Sequence, residues 1–474
     1  MNTLSHSFSD DVLGNLDATD IAALIAKKKA TPGEVIAAAI ARSKRVAPAI
    51  HAVVDECYEQ AMALDHLNTA APFAGVPTFI KDLCDVAGMH TRYGSASFSR
   101  VKPAKRNDRL VDQLVDLGLV VLGKSSTPEF GFICSAEPGP EVGEPTRNPW
   151  NTQHSAGGSS SGAAALVAAG VVPIAHAADG GGSIRIPAAA CGLVGLKPSR
   201  GRIHPAKLFK SQLVRIATDG VVTRSVRDTA HFYSEIEKLH YNNKLEPVGT
   251  DIRPLSRKLR FGVVIESVRG LGIDASTQQA MEKTTALLSS LGHHVEAMQI
   301  PAPDTIAEDV VHYWQMNAFL SKKVGGKAMD PSFDPSRLTP VSHGLAAQYS
   351  RSILRTPGVL YRLRKSYSDY AKIFHSIDIL VTPCVNHVTP KIGHLSETLD
   401  CDTLFGRVRQ WAGFSAYANV TGGPSISLPL SHNTPTNLPI GILFNANHGC
   451  DRLLLELAYQ LEEAQPWRKI QDYG

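Results

Sequence analysis

Two glycine turns, each ending at serine, bracket a helix and a strand between residues 157 and 198, and this succession narrows the folds open to the chain. The first is Gly157-Gly158-Ser159-Ser160-Ser161-Gly162-Ala163-Ala164-Ala165. The second is Asp179-Gly180-Gly181-Gly182-Ser183-Ile184-Arg185-Ile186-Pro187-Ala188, and Gly192-Leu193-Val194-Gly195-Leu196-Lys197-Pro198 closes the stretch. Residues 161–170 read as a small-residue helix and 171–175 as a strand. Turn, helix, strand and turn in succession are the signature of an α/β chain.

The same alternation runs along most of the sequence. Residues 1–70 read as an N-terminal helical segment, in which Thr31-Pro32-Gly33-Glu34 forms a capping-box start. Val35, Ile36, Ala39 and Ile40 give the helix one buried stripe, and Ile50 is placed beyond it, at an extended segment. Strands are predicted at 75–80, 119–123, 261–266, 294–300 and 379–383. Helices are predicted at 108–117, around 276–291, at 367–377 and at 451–463. Residues 302–375 have little strand pattern, several aromatics and breakers at Pro331, Pro335 and Pro340, and read as a variable helical cap near a substrate pocket. No fixed-period repeat or low-complexity linker divides the chain. The expected architecture is one elaborated α/β domain over residues 1–474, a large mixed, mostly parallel sheet covered by helices.

Composition removes several function classes. Hydrophobic residues make up 43% of the 474-residue chain and charged residues 19%, enough for a large core. The net charge is +4, with 48 basic against 44 acidic residues spread along the chain, so nucleic acid is not expected as a partner. The seven cysteines form no CxxC pair and read as unpaired thiols in a cytoplasmic protein. The polar N-terminus lacks a secretory pattern, and the apolar run 163–178 is too short for a membrane span, which requires roughly 18 residues. Eighteen histidines show no HExxH or similar ligand spacing, so no metal or other cofactor is expected.

Glycines ending at a serine can turn several N–H groups toward one point beside a hydroxyl. Acyl transfer needs such a pair, a nucleophile next to an oxyanion hole. Taken alone, Gly-Gly-Ser is more often a flexible loop. A phosphate cradle is disfavoured, because neither GxxxxGK[ST] nor GxGxxG spacing occurs. Arg185 stands where a GxSxG elbow would carry its second glycine. Cys191, followed by Gly-Leu-Val, reads as a small core residue rather than a nucleophile.

Together these residues resemble the amidase signature family, in its order and spacing over about forty residues. Two outlying segments extend the resemblance: Gly75-Val76-Pro77-Thr78-Phe79-Ile80-Lys81-Asp82, and 414–429 with Asn419, Gly422, Pro424, Ser427 and Pro429, followed by Pro439-Ile440-Gly441. The resemblance implies a Ser-Ser-Lys amide hydrolase acting on carbon–nitrogen bonds other than peptide bonds, in linear or cyclic amides. It implies Ser183 as nucleophile, Ser159 after a cis Gly158–Ser159 bond as proton relay, and Lys81 as base. It also implies an oxyanion hole from the amides of Gly180, Gly181, Gly182 and Ser183, with Ser160, Asp179 and Arg185 in support. Burial between 76–80 and Leu83 would lower the Lys81 pKa and so permit the base role.

The wording around Arg147-Asn148-Pro149-Trp150 and 195–202 is most similar to the branch of 6-aminohexanoate cyclic dimer hydrolases and aryl acylamidases. Candidate pocket walls are 130–134, 312–319 and 407–417, whose aromatics favour an apolar or aryl amide or an oligoamide. Leu443 departs from the glutamine usual in the family's Pro-x-Gly-x-Gln and is expected to alter packing near the pocket. Three readings stay open beside amide hydrolysis: an esterase or urethanase, a glutamine amidotransferase subunit working in a complex, and a catalytically silent interaction module. The expected partner is a small-molecule amide, with no membrane, and a homodimer is left open.

Overall fold

A computed structural model describes residues 3–473 apart from 65–66, 268–269, 300–301 and 303–304. Its strands are β1 (Val53–Glu56), β2 (Pro77–Lys81), β3 (Val120–Ser125), β4 (Arg147–Asn148), β5 (Asn151–Ser155), β6 (Ile174–Asp179) and β7 (Val194–Lys197). They continue as β8 (Thr218–Thr223), β9 (Arg260–Val263), β10 (His294–Ala297), β11 (Ile379–Pro383), β12 (Ser425–Asn433) and β13 (Leu438–Asn445). Eight of them form one sheet in the order β10-β9-β11-β13-β12-β7-β8-β6, and β1-β3-β2 form a smaller one. The large mixed sheet with helices over it is as expected.

The expectation that this sheet is mostly parallel is corrected. Among its described residues, this sheet pairs only β10–β9 and β9–β11 parallel, while β11–β13, β13–β12, β12–β7, β7–β8 and β8–β6 are antiparallel. The reason is insertion. The buried helix Arg185–Cys191 joins β6 to a strand of the same direction, β7, but β8 slots between them in reverse. In the same way β13 enters between β11 and β12, joined to β12 by a tight hairpin. Strand–helix alternation reports the direction of successive strands but not what is later placed between them.

Local signals explain most elements. Thr31 and Glu34 form the capping box, with the Glu34 N–H donating to Thr31 Oγ1 at 3.2 Å and the Thr31 N–H to Glu34 Oε2 at 2.8 Å. The helix runs through Ile50, so that residue closes the buried stripe rather than lying beyond it. The expected strand at 171–175 forms three residues later, because 176–179, bounded by the polar His176 and Asp179, is wholly buried. Residue 300 of the expected strand 294–300 lies outside the described residues.

Helix Ser161–Ala168 is buried on every side, which fits its all-round apolar composition. Its small residues permit close approach: a Cβ on Gly162 would sit 2.4 Å from the Ala52 carbonyl oxygen and the Ser126 nitrogen. Segment 302–375 contributes three helices, Ile306–Ala328, Pro340–Ser352 and Thr356–Ile373. Leu443 lines no cavity itself but is fully buried in an apolar cluster with Cys384, Trp411 and the cavity-wall residues Ile133, Ile186 and Phe405.

Candidate active site

Three elements converge behind the glycine turns. β2 ends at Lys81, the turn before helix Ser161–Ala168 carries Ser159, and the turn between β6 and helix Arg185–Cys191 carries Ser183. The Gly158–Ser159 bond is cis, as the family resemblance implied.

Lys81 is 0% exposed. Its Nζ donates to Ser159 Oγ at 2.7 Å, Ser160 Oγ at 3.0 Å and the Ala178 carbonyl at 3.3 Å. All three acceptors are neutral. Burial therefore lowers the Lys81 pKa from 10.5 to about 7, against the opposing pull of Asp179, Asp219 and Cys84. At neutral pH a large share of this amine is free to accept a proton. Ser160 Oγ also accepts from the Ala178 N–H at 3.2 Å, which ties the lysine's second partner to β6.

The Ser183 loop is held from below by one carboxylate. Asp179 is fully buried and accepts from the Gly182 N–H at 2.6 Å, the Ile184 N–H at 3.0 Å, and Arg185 Nε and Nη2 at 2.9 and 3.0 Å. Burial pushes its carboxyl up, but the Arg185 guanidinium outweighs this and holds the group below the usual carboxylate range. Asn419 joins the network, donating to Asp179 Oδ1 at 2.9 Å and accepting from Arg185 Nη2 at 2.6 Å. Gly182 has φ +135°, and a Cβ there would meet Ser415 Oγ at 2.2 Å, so no other residue fits.

This network narrows the expected oxyanion hole. The Gly182 amide is already committed to Asp179, which leaves the amides of Gly180, Gly181 and Ser183. Ser415 Oγ also reaches the loop, but it is tied to the Gly181 carbonyl at 2.6 Å. Arg185→Leu is expected to destabilise the fold by about 3–5 kcal/mol, because it strands a buried ionised carboxylate. Urea denaturation measures this, and a loss under about 1 kcal/mol would show that Asp179 finds another counter-charge.

Two cavities of about 150 and 160 Å³ meet over the loop. Ser183 and Gly181 line the first, and Lys81, Ser159 and Gly180 the second. Gly131, Phe132 and Trp314 line both, so Trp314 stands as a partition, its Nε1 donating to the Phe132 carbonyl at 2.8 Å. No direct hydrogen bond joins the Ser159 and Ser183 hydroxyls. Of the expected walls, 130–134 contributes throughout, whereas in 407–417 only Val408, Arg409, Ala412, Gly413, Ala416 and Tyr417 line a cavity. In 312–319, Trp314, Met316 and Asn317 face the cavities, whereas Tyr313 and Phe319 line neither and pack in the apolar cluster behind them.

The sequence reading missed His176 and Asp219, directly behind Lys81. The Lys81 backbone N–H donates to His176 Nδ1 at 3.2 Å, and His176 Nε2 faces Asp219 Oδ1 at 3.3 Å. A histidine inside an apolar strand was the available signal. With Cys84 these two residues form a buried group whose ligand-type atoms lie within 4.8 Å of one another. The Lys81 N–H occupies Nδ1, so the proton sits on Nε2 toward Asp219, which describes a hydrogen-bonded pair rather than a metal ligand. Cys191 is buried, its thiol pushed up by burial and its Sγ donating to the Ala156 carbonyl at 3.3 Å. A thiolate there is disfavoured.

Comparison with known proteins gives a uniform result. Residues 34–455 match the family described as Amidase. The protein named "Putative amidase AmiC" of Mycobacterium tuberculosis is 44% identical over 468 residues, covering 98% of each chain. A 6-aminohexanoate-cyclic-dimer hydrolase of a Pseudomonas species is 32% identical over 479 residues, covering 95% of each. A solved structure of 6-aminohexanoate cyclic dimer hydrolase complexed with substrate superimposes with a TM-score of 0.87 at 30% identity, over 96% of this chain and 98% of that one.

Proposed function

The chain belongs to the amidase signature family and is an amide hydrolase, and from that premise we propose that it works through an acyl-enzyme on Ser183. One observation carries the reading: a fully buried lysine, its pKa lowered to about 7, bonded at 2.7 Å to a serine beside the glycine loop. Neutral Lys81 takes the Ser159 proton as Ser159 takes that of Ser183. Ser183 Oγ then adds to the carbonyl carbon, and the amides of Gly180, Gly181 and Ser183 hold the oxyanion. The C–N bond breaks as Ser159 returns a proton to the leaving nitrogen, and water hydrolyses the ester by the same relay. The Ser159–Ser183 contact tightens once substrate is bound, as such contacts commonly do. Asp179 and Arg185 brace the loop, and Ser160 orients the lysine.

Because Ser159 protonates the nitrogen, the leaving amine occupies the Lys81 and Ser159 chamber and the acyl group the Ser183 chamber. The acyl side is walled by Phe132, Ile133, Val310, Val311, Trp314 and Phe405. The substrate is therefore an amide with sizeable apolar or aryl groups on both sides, or an oligoamide. No carboxylate lines either chamber among the described residues, so the ammonium of glutamine would find no partner, which weighs against the amidotransferase reading. Helix Ile306–Ala328 lines both chambers and acts as the cap. The three proposed catalytic side chains come from one chain, so catalysis requires no partner subunit. No helix among the described residues is long and apolar enough to cross a membrane. The seven unpaired cysteines support a cytoplasmic location.

Hydrolysis of a panel of aryl, aliphatic and cyclic amides tests the substrate reading; turnover confined to small primary amides would refute it. Ser159→Ala is expected to slow anilides far more than p-nitrophenyl esters, since only an amine leaving group needs a proton. Equal losses on the two would remove Ser159 from the proton-transfer role.

A further inference from the structure

The acyl chamber contains one feature that an apolar substrate does not use. Helix Cys401–Trp411 and the residue after it line the chamber through Phe405, Val408, Arg409 and Ala412. This i, i+3, i+4, i+7 spacing is a single helical face turned to the cavity. Three of the four side chains are apolar and the fourth is a guanidinium. Arg409 is the only Arg, Lys, Asp or Glu lining this chamber among the described residues.

Among the described residues Arg409 also has no ion-pair partner. It is half-buried, and its one hydrogen bond is from Nε to the Phe405 carbonyl at 3.1 Å, one turn back on its own helix. That bond fixes the stem and leaves both terminal nitrogens without an acceptor. Other arginines near the site are consumed. Arg185 is chelated by Asp179, Arg200 donates to the Asn419 and Val420 carbonyls, and Arg407 donates to the His394 carbonyl. A half-buried guanidinium that finds no carboxylate among the described residues has a fork suited to bidentate carboxylate binding.

Resting on the acyl-enzyme reading above, we propose that the acyl group carries a carboxylate at the end of an apolar segment, bound by Arg409. The substrate class is then the monoamides of dicarboxylic acids and related acid-ended acyl amides. An ammonium at the same end is excluded, since the chamber offers it a cation and no anion.

The test is a series of p-nitroanilides of dicarboxylic acids of increasing chain length, one carboxylate left free. Each is compared with its neutral monocarboxylic counterpart and with the ω-amino acid of equal length. At the length that spans the chamber, wild-type kcat/KM is expected to favour the acid-ended anilide over the neutral one by about tenfold or more. The ω-amino compound should be the poorest. In Arg409→Leu the acid-to-neutral ratio should fall to about one, and in Arg409→Lys it should fall only in part. Moving the carboxylate to the amine side should bring no advantage. Equal rates for acid-ended and neutral anilides at every length would overturn the proposal while leaving the amidase reading standing. So would a preference that survives Arg409→Leu, or one that follows the carboxylate to the amine side. A wild type that cleaves none of the three sets would overturn the acyl-enzyme reading, and this inference with it.

Discussion

Ser183→Ala is expected to lose amide turnover by a factor on the order of 10⁶ while remaining folded. The fold should tolerate the change because Ser183 Oγ makes no hydrogen bond among the described residues, so its removal orphans no buried partner there. The loop keeps its shape through Asp179, which holds the amides on either side of Ser183. Turnover should collapse because no other group can take over. Ser415 Oγ is bound to the Gly181 carbonyl, and Ser159 Oγ is bound to Lys81 Nζ. Steady-state kinetics on an anilide, with circular dichroism of the variant, checks both halves. Residual activity above about one part in a hundred in a folded variant would place the nucleophile elsewhere, given the usual cost of losing one.

The second large effect concerns Lys81. Only the neutral amine accepts a proton, so amide kcat/KM should rise with pH through an apparent pKa near 7 and then level off. Lys81→Ala should abolish this limb together with most of the rate. Lys81→Arg should not restore it, because a guanidinium stays protonated at any accessible pH. Lys197 makes the control necessary. It is also fully buried, and burial, with Arg185 adding to it, lowers its pKa to about 7. Its Nζ donates to the Pro198 carbonyl, and it lines neither chamber. Lys197→Met should therefore keep the limb. If the limb vanishes with Lys197 and survives in Lys81→Arg, the ionisation has been assigned to the wrong lysine.

The parts of this site that sequence reveals are those whose chemistry is local. A capping box, a glycine turn ending at serine and an apolar run ending at Lys81 each declare themselves within ten residues. The cavity wall is less local: helix Ile306–Ala328 turns Trp314 to the pocket and buries Tyr313 in the apolar cluster behind it, although the two are neighbours in sequence. Burial of the polar end of β6 is less visible still, because His176 becomes acceptable inside only once Asp219, 43 residues on, arrives from β8. The commitment of the Gly182 amide depends likewise on which way Asp179 points. Sheet direction is hidden from the sequence for the same reason: β8 and β13 enter between strands that precede them in the chain.

The central claim is a covalent intermediate on Ser183, and mass spectrometry of the protein after a fluorophosphonate probe tests it most directly. The expected result is one phosphonyl adduct on the peptide containing Ser183, absent in Ser183→Ala and slowed below pH 7 as Lys81 takes up its proton. An adduct on any other residue, or undiminished labelling of Ser183→Ala, would contradict the account.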